Sequence, residues 1–279
     1  MTAVLDSHLH FWDPRRLRYP WLDDIDRLNR PFIPEHFPAR HDVIVVEAGR
    51  VPGDAGAEIA WMRREARQHP WIRGIVAHAD LEHPGEAGRL AGDPFVVGVR
   101  RNVQDEAPGF LEGADFRAGV RSLGEAGLPF DACVRAHQLP ELTALAEACP
   151  RTTIVLDHLG KPAPGGPGYD RWRRALRRLA RHANVRCKLS GLATETVPGT
   201  PRAHVVDAVK EALDSFGPGR CLYGSDWPVM TLATDHEAWL DVVHAALDGH
   251  PADAVLRHNA EQTYLARAGH GQTEGKDPE

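Results

Sequence analysis

Short runs of apolar and β-branched residues recur along the chain, and between them the apolar positions repeat at about 3.6 residues, the period of a helix. The runs occupy 4–10, 43–48, 74–79, 95–100, 130–135, 153–158, 185–190 and 221–226. Several are apolar on both faces, as strands buried between an interior and a helical layer must be. Helical periodicity fills 57–68, 116–126, 139–148, 169–183, 203–216 and 236–247, and once more 252–266. Strand and helix in alternation mean parallel strands joined by right-handed crossovers. Eight such units closing on themselves predict an α/β fold, one (β/α)8 TIM barrel over residues 1–266, with the final helix sealing its bottom or edge.

Two connections are too irregular for a plain strand-to-helix turn. The first, 11–40, is a long aromatic loop after strand one that carries Trp12, Tyr19, Pro20, Trp21, Phe32, Pro34 and Phe37. It predicts an ordered flap over the barrel mouth. The second reads KPAPGGPG at 161–168, a run that forms neither helix nor strand and also follows a strand. After Arg267 the composition turns polar and Gly-rich, which predicts a loose polar tail over 267–279.

A chain of 279 residues buries most of its surface around one core and needs no disulfide or structural metal to fold. Its net charge of −6 argues against a nucleic-acid surface. The densest basic run, 171–181, interleaves arginines with Trp172, Leu176 and Leu179 at helical spacing, the pattern of a solvated basic helix face. Cys133, Cys149, Cys187 and Cys221 are far apart with no CxxC pair, and read as buried free thiols of a reducing compartment. The first residues show no basic-then-apolar leader, and no apolar run reaches the roughly 18 residues of a membrane span. The expectation is a cytoplasmic protein acting on a small molecule, with no nucleic-acid or membrane partner; homo-oligomerisation stays open.

In such a barrel the chemistry gathers at the carboxyl ends of the strands. The first strand ends Asp6-Ser7-His8-Leu9-His10, and alternation puts His8 and His10 on one face, with Asp6 beside them. Two imidazoles so placed are a ready pair of metal ligands or charge-stabilising groups. A lone strand-end histidine is more often a hydrogen-bonded structural residue. Here the sixth run adds His158 and the eighth adds Asp226, from separated parts of the chain onto one rim. That convergence is a far stronger signal than HxH alone. The other runs end near Glu47, His78, Arg100, Arg135 with His137 beyond it, and Lys188; Glu47, His78 and His137 receive no role from the sequence.

HxH on the first strand, VLDHLGKP around the sixth, CKLSGL on the seventh and YGSDWPV on the eighth resemble the amidohydrolase superfamily. Within it they resemble the branch of L-fuconolactonase and related sugar-lactone hydrolases, with 2-pyrone-4,6-dicarboxylate lactonase more distant. SHLHFWDPRRLRYPWL, GVRRNVQ, VRAHQLPEL and HNAEQTYLA fit the same branch, so the resemblance spans about residues 4–266. It implies a hydrolase of carbohydrate metabolism, a lactonase that opens a sugar-acid lactone. Asp226 would act as general base on a water. His8, His10 and His158, with Asp226, would bind one divalent metal, zinc or manganese and dispensable in this branch, or would orient water and polarise the carbonyl. The bridging carboxylated lysine of two-metal members has no counterpart, since the fourth strand ends in Arg100 and the fifth in Arg135. Arg100, Gln104 and Arg135 suit carboxylate or polyhydroxyl recognition, and Trp12, Trp21 and Trp227 suit the C–H face of a sugar ring. Each also has a structural reading, such as Arg135 pairing with Asp131 or Glu141. Two other functions stay open: a metal-dependent decarboxylase of an unsaturated or aromatic acid, and a catalytically silent ligand-binding barrel.

Overall fold

A computed structural model describes residues 3–39, 41–197 and 199–266; the tail expected over 267–279 lies outside the described residues. Eight parallel strands follow one another in chain order around one sheet: β1 (Leu5–Leu9), β2 (Asp42–Val46), β3 (Ile72–His78), β4 (Val96–Arg100), β5 (Phe130–Ala132), β6 (Ile154–Leu156), β7 (Val185–Leu189) and β8 (Cys221–Tyr223). The ring closes just beyond β8, where Asp226 N–H donates to the His8 carbonyl and His10 N–H to the Trp227 carbonyl, both at 2.7 Å. The fold is the expected (β/α)8 barrel.

Helices α1 (Ala55–Gln68), α2 (Glu86–Ala91), α3 (Ala114–Glu125), α4 (Leu139–Ala148), α5 (Tyr169–Leu179), α6 (Arg202–Phe216) and α7 (His236–Ala246) form the outer layer. Only α2 carries no periodic signal in the sequence, because six residues are too few to show a repeat. On α5, Trp172, Leu176 and Leu179 are buried while Arg173 and Arg177 reach Glu211 of α6 at 3.0 and 2.5 Å. That is the amphipathic helix read from the basic run.

Alternation along the strands divides the core in two. Val43 and Val45 pack outward with the helices, while Ile44 and Val46 face inward with Leu5, Val76, Val97, Val155 and Leu222. Ala260 and Tyr264 join this inner cluster from the helical stretch 252–266, which winds through wide turns at Ala254–His258 and Glu261–Leu265. Asn259 donates to the carbonyl of Cys221 and Arg257 pairs with Asp42, each the first residue of its strand, so this last stretch plugs the bottom of the barrel and leaves the carboxyl ends open. Between β1 and β2 the chain makes 3-10 turns at Pro20–Asp24 and Pro34–His36, and Trp12 and Phe32 exchange two backbone hydrogen bonds at 2.9 and 2.8 Å. The four cysteines are free and buried. No helix among the described residues is long and apolar enough to cross a membrane.

Candidate active site

A cavity of about 470 Å³ opens at the carboxyl ends of the strands, with His10, His158, Asp226, Trp21, Arg100 and Gln104 in its walls. His158 and Asp226 stand beyond the strands that were expected to carry them. β6 stops at Leu156 and β8 at Tyr223, and His158 and Asp226 adopt left-handed backbone with φ of 54° and 61°. Residues other than glycine pay a steric penalty there, and such conformations gather at functional sites, where the surrounding fold holds them. Gly191 makes room for one of them: a Cβ on it would meet His158 Nδ1 at 2.2 Å.

β1 does not keep strict alternation. Its pairing with β2 shifts register between Asp6 and Leu9, so a single side-chain period cannot run through it. His8 and His10 do share a target, Asp226 Oδ1, at 3.7 Å from His8 Nε2 and 3.5 Å from His10 Nε2. Asp6, expected beside them, instead turns its Oδ2 to His41 and His236, 3.9 and 4.0 Å away. Its Oδ1 accepts the N–H of His8 at 3.1 Å and of Ser225 at 2.9 Å, which ties β1 to the end of β8.

The protonation states follow from these neighbours. His10 Nδ1 lies 2.8 Å from the Val46 carbonyl, a contact that needs a proton on Nδ1. In the neutral ring this leaves the Nε2 lone pair facing Asp226. Burial pulls His8 well below the usual imidazole value, against the nearby Asp157 carboxylate. Burial likewise lowers His158 to about 4. Burial alone would raise Asp226, but His158, His10 and His8 outweigh it and hold the carboxyl well below its ordinary range. At neutral pH the site is therefore an ionised carboxylate against neutral imidazoles at His8 and His158.

Beneath this lies a support that the sequence reading left without a role. Lys188, fully buried on β7, reaches His8 Nδ1 and Asp157 Oδ1 at 3.2 Å each, and pairs with Asp131. Tyr264 donates to Asp131 at 2.9 Å, so a polar chain runs from the plug helix up to His8. Its trace in the sequence is Asp131, Asp157 and Lys188 set inside the apolar runs PFDACV, TIVLD and VRCKL. His158 is held separately, with Nδ1 3.0 Å from Ser190 Oγ.

The remaining candidates divide. Trp21 lines the cavity and donates its indole N–H to the Ala48 carbonyl at 2.8 Å; Gln104 also lines it. Arg100 borders the cavity, but its guanidinium is taken up by Glu47, with Nε 2.7 Å from Oε1 and Nη2 2.5 Å from the Glu47 carbonyl. Arg135 is not in the lining, because β5 ends at Ala132 and the chain has left the rim; it pairs with Asp105, which is in the lining, at 2.7 Å, rather than with Asp131 or Glu141. Trp12 and Trp227 are not in the lining either. Both are buried against Phe32, with ring centroids 5.3 and 5.6 Å from it. Lys161, missed as a wall residue though it sits inside the DHLGKP motif, lines the cavity and meets Glu195 at 3.1 Å. Of the unassigned residues, Glu47 is the partner of Arg100, His78 faces Asp80 at 3.1 Å, and His137 sits in the turn Ala136–Gln138 away from the lining. Burial pushes the Cys133 thiol in the cavity wall up to about 11, and the hydroxyls of Ser7 and Ser225 serve the backbone at Tyr223 and Trp227. None of the three is poised as a nucleophile.

His8, His10 and Asp226 offer three buried ligand atoms within 4.8 Å of one another, and His8 Nε2 has no hydrogen-bond partner. Two imidazole nitrogens and a carboxylate oxygen that converge on one point fit a divalent cation. His158 forms a second such group with His8 and Asp157, so His8 is common to both.

The chain matches the amidohydrolase family over residues 5–265. It is 36% identical over 250 residues to L-fucono-1,5-lactonase of Burkholderia multivorans, covering 84% of each chain. It is 33% identical over 254 residues to L-fucono-1,5-lactonase of Burkholderia ambifaria, covering 86% of each. Its fold is similar to that of a Burkholderia multivorans amidohydrolase crystallised with bound zinc, with a TM-score of 0.84 and 33% identity over 94% of this chain and 99% of that one. The chain belongs to the amidohydrolase family.

Proposed function

We propose that this amidohydrolase opens a sugar-acid lactone of the L-fucono-1,5-lactone type to the free acid, by attack of a water activated at Asp226. Two curated relatives with that activity, similar over most of the chain, support lactone esters as the bond hydrolysed and a small molecule as the substrate. The observation that carries the reading is the convergence of His8 and His10 on Asp226, with His10 and Asp226 in the cavity wall, where none of Cys133, Ser7 and Ser225 is poised as a nucleophile.

Attack of water on the ring carbonyl forms one C–O bond and places negative charge on the carbonyl oxygen. Asp226, ionised at neutral pH, accepts the water's proton. A carboxyl held below its usual range is a modest base but a ready donor once protonated. It passes that proton to the ring oxygen as the ring C–O bond breaks, which an alkoxide leaving group requires. His158, its Nδ1 engaged by Ser190, presents the other ring nitrogen for the developing oxyanion, a kind of contact worth a few kcal/mol (about 3–4). A divalent metal, for which we propose zinc, would be held by His8, His10 and Asp226 and would supply Lewis-acid polarisation and a more acidic water. Trp21 offers a face for the C–H side of the ring, and Gln104 and Lys161 offer polar contacts to its hydroxyls.

The test is a pH-indicator screen of aldonolactones with purified protein, with and without chelator. Acid release from at least one sugar lactone is expected. Carbon dioxide release from aromatic or unsaturated acids, with no lactone opened, would transfer the site to decarboxylation. A ligand bound without turnover of any lactone would make the barrel a binding protein.

A further inference from the structure

On the other side of β1 from the catalytic histidines lies a second cluster of the same composition. Asp6 Oδ2 faces His41 Nε2 at 3.9 Å and His236 Nε2 at 4.0 Å, and all three atoms lie within 4.8 Å of one another. Asp6 is fully buried, and neither its Oδ2 nor His41 Nε2 has a hydrogen-bond partner, while His236 Nε2 lies 3.4 Å from the Tyr223 hydroxyl. Unsatisfied buried polar atoms are costly, and two that face each other across a gap mark the place of something that bonds to both. The gap is too wide for direct hydrogen bonds, whose N···O distances run to about 3.2 Å. It is slightly wider than the ligand spacing around a cation bonded at about 2.0–2.2 Å, which a small inward movement closes. The two histidine rings, 5.1 Å apart between centroids, both rest edge-on against Phe37, which fixes their direction. Each imidazole side chain is 12–13% exposed, so a fourth position can be completed by solvent.

We infer that Asp6, His41 and His236 form a divalent-cation site, of the two-imidazole, one-carboxylate kind that zinc takes, separate from the catalytic group and independent of which lactone is opened. Its place gives it a structural role. The cation would bind the Oδ2 of the carboxylate whose Oδ1 holds the backbone N–H of both His8 and Ser225. It would also link β1 to the residue preceding β2 and to the first residue of α7. The ion would stiffen the seam on which the active site is hung.

The experiment counts zinc on the full chain after equilibration with zinc and desalting, by plasma mass spectrometry. The variant His41→Gln/His236→Gln should hold one equivalent fewer than the parent, melt at a lower temperature in zinc, and keep its lactone-opening rate within a few-fold. His10→Asn, altered at the catalytic group, should keep the equivalent that the double variant loses. Equal zinc content in parent and double variant would overturn the assignment. If the double variant does not fold, a zinc-edge anomalous map of parent crystals grown in zinc decides: a peak between Asp6, His41 and His236 supports the site, and none at full catalytic occupancy removes it.

Discussion

On the β1–β8 side of the mouth, Asp226 is met by His10 at 3.5 Å and His8 at 3.7 Å, and His8 Nε2 is without a hydrogen-bond partner. On the β2–β4 side, Glu47 accepts from Arg100 Nε at 2.7 Å and from the Gly49 N–H at 2.8 Å, and Glu58 accepts from the Ala48 N–H at 2.9 Å. Both walls bury carboxylates almost completely, yet only the first leaves ligand atoms open and holds left-handed backbone at His158 and Asp226. The second pairs charge with charge: Arg50 adds contacts of 4.0 Å to Glu47 and 3.5 Å to Glu58. The first wall retains capacity to bond something else, as a reactive site must. The second has spent its carboxylates on itself, as a scaffold does, and keeps only donors open, the Nε and Nη2 of Arg50.

The contrast predicts opposite consequences for the two walls. Asp226→Asn removes the proton acceptor without leaving a buried charge, so lactone hydrolysis should fall by about a hundredfold or more. Its denaturant midpoint should move less than that of any variant on the other wall. Initial rates and urea melts on the same preparation check both halves, and activity within a few-fold of the parent would remove Asp226 from its role.

Arg100→Met is the converse. Glu47 would be left buried with its main partner gone, and stability should drop by about 3–5 kcal/mol, the usual consequence of breaking a buried pair. Urea denaturation measures it. Loss of turnover with an unchanged midpoint would instead make Arg100 a residue that binds substrate.

Glu58 sharpens the comparison through pH. Burial first, then the neighbouring Glu47 carboxylate, push it up to about 7, against about 4.3 in an unfolded chain. The folded protein therefore holds this proton where the unfolded chain has released it. The stability gained is fully present below about pH 4 and is lost as pH rises through about 7. Glu47, drawn down to about 2 by Arg100 and Arg50 against the pull of burial, acts with opposite sign and only in acid. Glu58→Gln keeps an acceptor for the Ala48 N–H and cannot ionise. Between about pH 6 and about pH 8 the parent's melting temperature should fall more steeply than the variant's. Parallel slopes would place the titration elsewhere.

The fold was legible because the barrel repeats one simple pattern eight times, and the meeting of His8, His10, His158 and Asp226 because three motifs converge on one rim. What was not legible depends on contacts between distant segments. Asp6 looked equivalent to His8 and His10 under strict alternation, but the register shift in β1 sends it to His41 and His236. Arg100 sits at the strand end where a substrate-reading arginine would sit, yet nothing local reveals that Glu47, 53 residues away, occupies its fork. Lys188 and Asp131 lie inside apolar runs where a single charge reads as an interruption, and their pairing exists only once β5, β7 and Tyr264 surround the same interior. Trp12 and Trp227 illustrate the reverse: aromatic residues at a mouth suit a sugar face and a packed loop equally, and here they pack.

The smallest effect is expected at Arg135. Its guanidinium is nearly half exposed and pairs with Asp105, itself 70% exposed, at 2.7 Å. Exposed pairs of this kind contribute about 0–1 kcal/mol, since water and salt screen them. The residue touches the cavity only through Asp105, so Arg135→Ala should change stability by no more than about 1 kcal/mol. Turnover should stay within a few-fold, with any change confined to KM. Steady-state kinetics on the best lactone decide the matter. A kcat loss approaching that of Asp226→Asn would mean that the loop after β5 folds inward over bound substrate, and that the chemically open wall of the mouth extends beyond β1, β6 and β8.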